Sequence, residues 1–191
     1  MSNFAESFTS RLVQMKIVKE EDRELYTYGF RQGAILIANF AVIFTIGLLF
    51  GLLLQSLIFS AAYISLRTVA GGYHARTQRN CNILSILLIL AVLSILKWLP
   101  WSGVFSLVIM ALSIAVVFFL APVEDENKPL DAIEIKVYRR RSRIVLVILS
   151  AVAIFFFILD NTPLLNCFSI AVATSAVMLI AGVVKNKRNQ I

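Results

Sequence analysis

Six uncharged, strongly apolar stretches divide this chain and leave it little choice of solvent. Residues 34–54, 57–66, 83–96, 103–121, 144–159 and 164–184 contain no Asp, Glu, Lys or Arg. Crossing about 30 Å of hydrocarbon takes roughly 20 apolar residues as helix, and only helices or closed barrels satisfy their own backbone there. With 15% charged residues and a mean hydropathy of +0.84, the chain departs from soluble domains, in which roughly a quarter of residues are charged. The expectation is an all-α polytopic membrane protein, one membrane-embedded domain over 1–191 with about six apolar helical segments. Two stretches are short: 57–66 must borrow Arg67 to Ala70, and 83–96 must borrow Trp98 and Leu99. The break between the first two spans is expected at Gln55 and Ser56.

The basic residues decide the count of spans. Five of the 18 Lys and Arg precede residue 34, three lie in 67–80, six in 122–143 and three after 184, leaving Lys97. Six spans with the N-terminus inside put all but Lys97 on the inner face, as the positive-inside rule requires; five spans would split them 6 to 12. Both termini, segment 67–82 and the basic 122–143 loop are therefore expected in the cytoplasm. Trp98 and Trp101 would form an outer aromatic belt. The same bookkeeping accounts for the net charge of +7 without nucleic acid, for which no reading module is present.

The first 33 residues read as an interfacial amphipathic helix, because Phe4, Phe8, Leu12 and Met15 recur at helical spacing among charged residues. No apolar run with a small-residue cleavage site marks them as a cleaved signal. The Ala- and Ser-rich stretch 169–176 permits close helix contact, so a homodimer is an expectation.

One polar interruption, RTVAGGYHARTQRNC from Arg67 to Cys81, holds the only histidine and one of the two cysteines. An imidazole can take a thiol's proton and make it a nucleophile, so His74 and Cys81 are the candidate catalytic pair. In a continuous helix, seven residues separate them by about 10.5 Å along the axis, beyond the roughly 3 Å of a hydrogen bond. Hence ARTQRN must bend, as a loop or re-entrant turn, with Gly71 and Gly72 supplying backbone freedom. Arg67, Arg76 and Arg79 place positive charge where a thiolate would form. A zinc site needs three or four ligands, and His74, Cys81 and Cys167 are a poor set with Cys167 in the last apolar stretch; no metal or other cofactor is expected.

These residues carry a resemblance. The pattern Arg67, Gly71-Gly72-Tyr73-His74-Ala75 and Cys81 resembles the signature of the accessory gene regulator B family (AgrB), bacterial membrane cysteine endopeptidases that process quorum-sensing propeptides. APVEDENKPL, from Ala121 to Leu130, with the basic run ending RRRSR, is similar to that family's central cytoplasmic loop. The resemblance covers nearly the whole chain. It implies that Cys81 is the nucleophile and His74 its base, cutting an AgrD-like propeptide near its C-terminus through a thioester, in a bacterial cell membrane. It also implies an acidic recognition tail on the substrate, for which Lys136, Arg139, Arg140 and Arg141 are candidate partners, with anionic lipid as their other partner. Asn80 is one candidate to orient His74; Gln78, Glu124 and Asp125 stay open beside it. A transporter, a lipid-head-group enzyme and a membrane scaffold are the rival classes. The first would line its spans with polar residues, and here Asn39, Gln55 and Asn166 are few and scattered.

Overall fold

The computed structural model describes residues 2–73, 75, 77–99, 101–124 and 130–189. The described residues form seven α-helices and no strand: α1 (Ser2–Gln14), α2 (Arg23–Phe50), α3 (Leu53–Ala70), α4 (Gln78–Trp98), α5 (Gly103–Leu120), α6 (Ala132–Ile158) and α7 (Thr162–Asn189). Helices α2 to α7 are each long and apolar enough to cross a membrane, so this is a multi-pass membrane protein. The chain divides into two compact units, one ending at Val42 and one beginning at Ile43.

In the first unit, α1 folds back on the start of α2. Phe8 meets Phe30 edge to face at 4.9 Å, and Arg23 bonds both Ser10 Oγ and Glu20 at 3.1 Å. Lys16, at φ 57°, and the Ile17 amide, which donates to Leu12 O, close α1 early. The expected surface helix over 1–33 is therefore cut short, and from Arg23 onward the chain is already spanning helix.

In the second unit, the α2–α3 hairpin turns at Gly51 and Leu52 rather than at Gln55 and Ser56. Gly51 takes φ +69°, a left-handed conformation that costs a glycine little, and the Leu52 amide donates to Gly47 O at 2.9 Å. Ser56 is thus buried inside α3, its hydroxyl donating to Ile43 O at 3.2 Å. Helix α7 is the axis of the unit, packing on α3, α5 and α6. Its inward residues Cys167, Ser169, Ala171, Val172 and Leu179 are all fully buried, and small side chains let neighbouring helices close in. By contrast α5 and α6 present Val104, Leu112, Phe119, Val147 and Ile158 outward, as lipid-facing surfaces do.

The connections gather at two ends. At one, Lys97 Nζ donates to Phe50 O at 2.8 Å and the Trp98 ring lies 5.6 Å from Phe50. At the other, residues 71–73, the segment after α5 and the last turns of α7 meet. Gly72 N donates to Val123 O at 3.1 Å, Val123 N to Ala70 O at 2.9 Å and Tyr73 N to Met178 O at 2.9 Å. Asn186 Nδ2 donates to Glu124 O at 2.8 Å. The basic stretch is mostly helix rather than loop, because Asp131 caps α6: its carboxylate accepts from Ile133 N and Glu134 N, while Glu134 returns a bond from Asp131 N, a reciprocal capping box.

Gly182 is where Gly72 and Tyr73 rest on α7. A Cβ there would stand 2.8 Å from Gly72 C and Tyr73 N, backbone atoms that cannot swing aside, whereas one at Gly33 would meet nothing within 4 Å. Gly182→Ala is expected to destabilise the protein by about 1–3 kcal/mol through overpacking. Gly33→Ala, in an open helical position, should be neutral or stabilise by up to about 1 kcal/mol. Thermal unfolding of the two variants in detergent checks the contrast.

Candidate active site

Cys81 stands in the first turn of α4. Thr77, with extended φ and ψ, caps that helix: its hydroxyl accepts from Asn80 N at 3.2 Å and its carbonyl from Cys81 N at 3.0 Å. A Thr cap satisfies donors that a helix start leaves open. The segment is not continuous helix up to Cys81, because α4 begins only after Thr77. Of ARTQRN, Ala75 and Thr77 are outside the helix, whereas Gln78 to Asn80 are within it. The thiol is half-buried, at a helix N-terminus, where the backbone dipole favours negative charge.

The segment before it is held by Arg67. From the last turn of α3 its guanidinium donates through Nη1 to Gly71 O and through Nη2 to Tyr73 O, a two-pronged geometry that one ammonium cannot copy. Both glycines are required by what surrounds them. Gly71 sits at φ +73° with the place of a Cβ 2.1 Å from Val123 O, and Gly72 at φ +113° with that place 2.8 Å from Met178 O. The structure thus unites Arg67, Gly71 and Gly72 in one support ahead of Cys81. His74 and Arg76, the expected base and one expected cation, lie outside the described residues. So do Asp125 and the side chain of Gln78.

The other expected residues divide. Asn80 is exposed, and with Tyr73 and Ala75, which flank position 74, it lines a cavity of about 790 Å³ between α4 and α7. Glu124 is engaged within its own loop, its carboxylate accepting from Leu130 N at 3.2 Å. Lys136, Arg139 and Arg140 share one stripe of α6 with Arg143, while Arg141 is not part of it. The guanidinium of Arg143 lies 4.1 Å from the Phe118 ring, a cation–π contact. Cys167 is buried in α7, its thiol donating to Pro163 O at 3.2 Å.

Several contributors escaped the sequence reading. Gly182, Asn186 and the Met178 carbonyl dock the segment on α7, and Lys185 Nζ stands 5.6 Å over the Tyr73 ring. Tyr63, one turn before Arg67 on α3, stacks on Phe59. Gly182 alone left a signal, as a lone glycine deep in an apolar helix, a position that costs stability unless something packs there.

No solved structure matches this chain. Among curated proteins it is similar to a "Putative AgrB-like protein" of Listeria monocytogenes serotype 4a, 29% identical over 81% of this chain and 80% of the relative. A protein of the same description from Clostridium perfringens is 27% identical over 78% and 73%. The "Accessory gene regulator protein B" of Staphylococcus intermedius is 29% identical over 62% and 64%. The family model of Accessory gene regulator B matches residues 5–179. The chain therefore belongs to the accessory gene regulator B family.

Proposed function

We propose that this protein is a membrane cysteine endopeptidase of quorum sensing, which cleaves a small AgrD-like propeptide through a thioester on Cys81. The observation that carries the reading is the support around the thiol: a capped helix start, preceded by a segment clamped by Arg67 and made possible by Gly71 and Gly72. A structural cysteine needs no such frame.

In this mechanism His74 takes the thiol proton and the thiolate attacks the scissile carbonyl. The tetrahedral intermediate collapses as His74 passes the proton to the leaving amine, leaving an acyl-enzyme thioester. The amides of Asn80 and Cys81 are already engaged with Thr77, so the oxyanion draws its donors from elsewhere. Attack by water gives a linear product; attack by a thiol of the substrate itself gives a thiolactone of similar bond energy. Cyclisation wins when that thiol is held close, since effective molarities for oriented groups reach about 10⁵ M or more, and when the site excludes water. Orientation follows from the charge asymmetry, with the active-site end of the bundle cytoplasmic.

Co-expression with the small peptide encoded beside its gene, read by mass spectrometry, tests the dyad. Cys81→Ala and His74→Ala should each abolish the cleaved product, and the double variant should be no worse than either; processing that persists in either single variant overturns the assignment. Arg67→Lys should lower kcat by roughly ten- to a hundredfold with the fold retained, because one ammonium cannot hold both carbonyls. Reversing Lys136, Arg139, Arg140 and Arg141 should raise KM and remove its salt dependence if the substrate's acidic tail docks there. Unchanged kinetics would assign that stripe to anionic lipid.

A further inference from the structure

Two helical stripes face each other across the cavity beside Cys81 without closing it. Helix α4 presents Asn80, Ile83, Leu84 and Leu87, and α7 presents Ala181, Val184, Lys185 and Arg188, each set at the i, i+3, i+4, i+7 spacing of one helix face. Tyr73 and Ala75 complete the lining at the active-site segment. The walls are apolar, two cations stand along one side, and among the described residues no carboxylate lines the space. At about 790 Å³ its size is that of ligand sites, which run from roughly 300 to 1,000 Å³.

We infer that this groove seats the peptide substrate: apolar residues next to the scissile bond lie between α4 and α7, and Lys185 and Arg188 bind a carboxylate of the same peptide. The inference rests on the peptidase reading and adds to it the place and chemistry of recognition. The position of Asn80 decides for a peptide over a lipid. A chain lying along Leu87, Leu84 and Asn80 is delivered to the residue before the nucleophile, and passes Tyr73 and Ala75 on either side of position 74. The stripe on α6 offers no such delivery, because among the described residues none of α4, nor Tyr73 or Ala75, lines it. Charge complementarity gives the occupant its sign, and Lys185, resting on the Tyr73 ring, links carboxylate binding to the segment that carries His74.

The test uses full-length Cys81→Ala protein in phosphatidylcholine nanodiscs, so that binding is read without turnover. The probe is a synthetic copy of the peptide encoded beside the gene. Benzoylphenylalanine at Leu87 or Val184 should crosslink to that peptide, and the same group at the outward-facing Leu112 should not. Arg188→Glu and Lys185→Gln should each weaken binding at least tenfold, with Lys185→Arg retaining it. A peptide whose Asp and Glu are replaced by Asn and Gln, and whose C-terminus is amidated, should bind the native groove as weakly as the unaltered peptide binds Arg188→Glu. Replacing those acids by Lys should restore binding to Arg188→Glu, which a misfolded variant could not do. Absence of peptide crosslinks at both positions, or crosslinks only to phosphatidylglycerol when it is added, overturns the proposal. Processing by the Cys81→Ala protein would instead overturn the peptidase reading, while the crosslinks would still report on the groove.

Discussion

A chain that leaves the helical path inside a membrane protein must satisfy its peptide groups by other means, and the stretch from Ala70 to Tyr73 does so with borrowed partners. Val123 supplies one donor and one acceptor, Met178 an acceptor and Arg67 two donors. Each buried polar group left without a partner would cost about 1–3 kcal/mol. The rest of the site depends on this exchange. It brings the backbones of three elements within bonding distance, which only glycine permits at 71, 72 and 182. The pattern Arg67, Gly71, Gly72 is thus one device, with the guanidinium holding carbonyls that the glycines bring into reach.

Downstream of that device the geometry of Cys81 is set by a local decision. Thr77 stops the irregular segment and starts α4, so the thiol is carried by a regular helix and not by the loop. Functional groups on helices are held more tightly than those on loops. In the proposed peptidase this gives the nucleophile a fixed place on a helix.

The architecture was legible to the extent that it follows from solvent. Uncharged runs of span length and the distribution of basic residues gave six spans, and put 67–80 and 122–143 at the same end, where Gly72 and Val123 are found bonded. What was not legible follows from local conformation and from tertiary contact. Gln55 and Ser56 looked like the turn because they are polar, but a serine can return its hydroxyl to a helix carbonyl, and Gly51 was the better breaker. The stretch 122–143 reads as a basic loop between spans, yet the Asp131–Glu134 box starts a helix there. That ARTQRN is not continuous helix followed from the demand that His74 and Cys81 act together, whereas the start of the helix did not: the Thr77 cap allows three of the six residues of ARTQRN back into α4. Asn186 and the Met178 carbonyl left no trace, since a backbone acceptor has no sequence signature and an Asn near a helix end has many uses.

The uneven burial of the helices bears on how a substrate reaches this site. Half of the apolar window of α7 is inside the protein, against 17% for α4, so α7 is fixed by neighbours on several sides while α4 is buried only at Ile89, Val92 and Leu93. At one end it is tied through Thr77 and the clamped segment, at the other through Lys97, which donates to Phe50 O and lies near the Phe50 and Trp98 rings. A helix lightly packed over its first half, where Ile83 and Leu87 are exposed, can stand off its neighbour there without exposing polar backbone, because its hydrogen bonds are internal. The opening between α4 and α7 then costs little beyond the lost side-chain contact, and an apolar occupant restores it. Closure on an occupant would exclude water from the side on which Asn80 lies, as the thioester chemistry proposed for Cys81 would require.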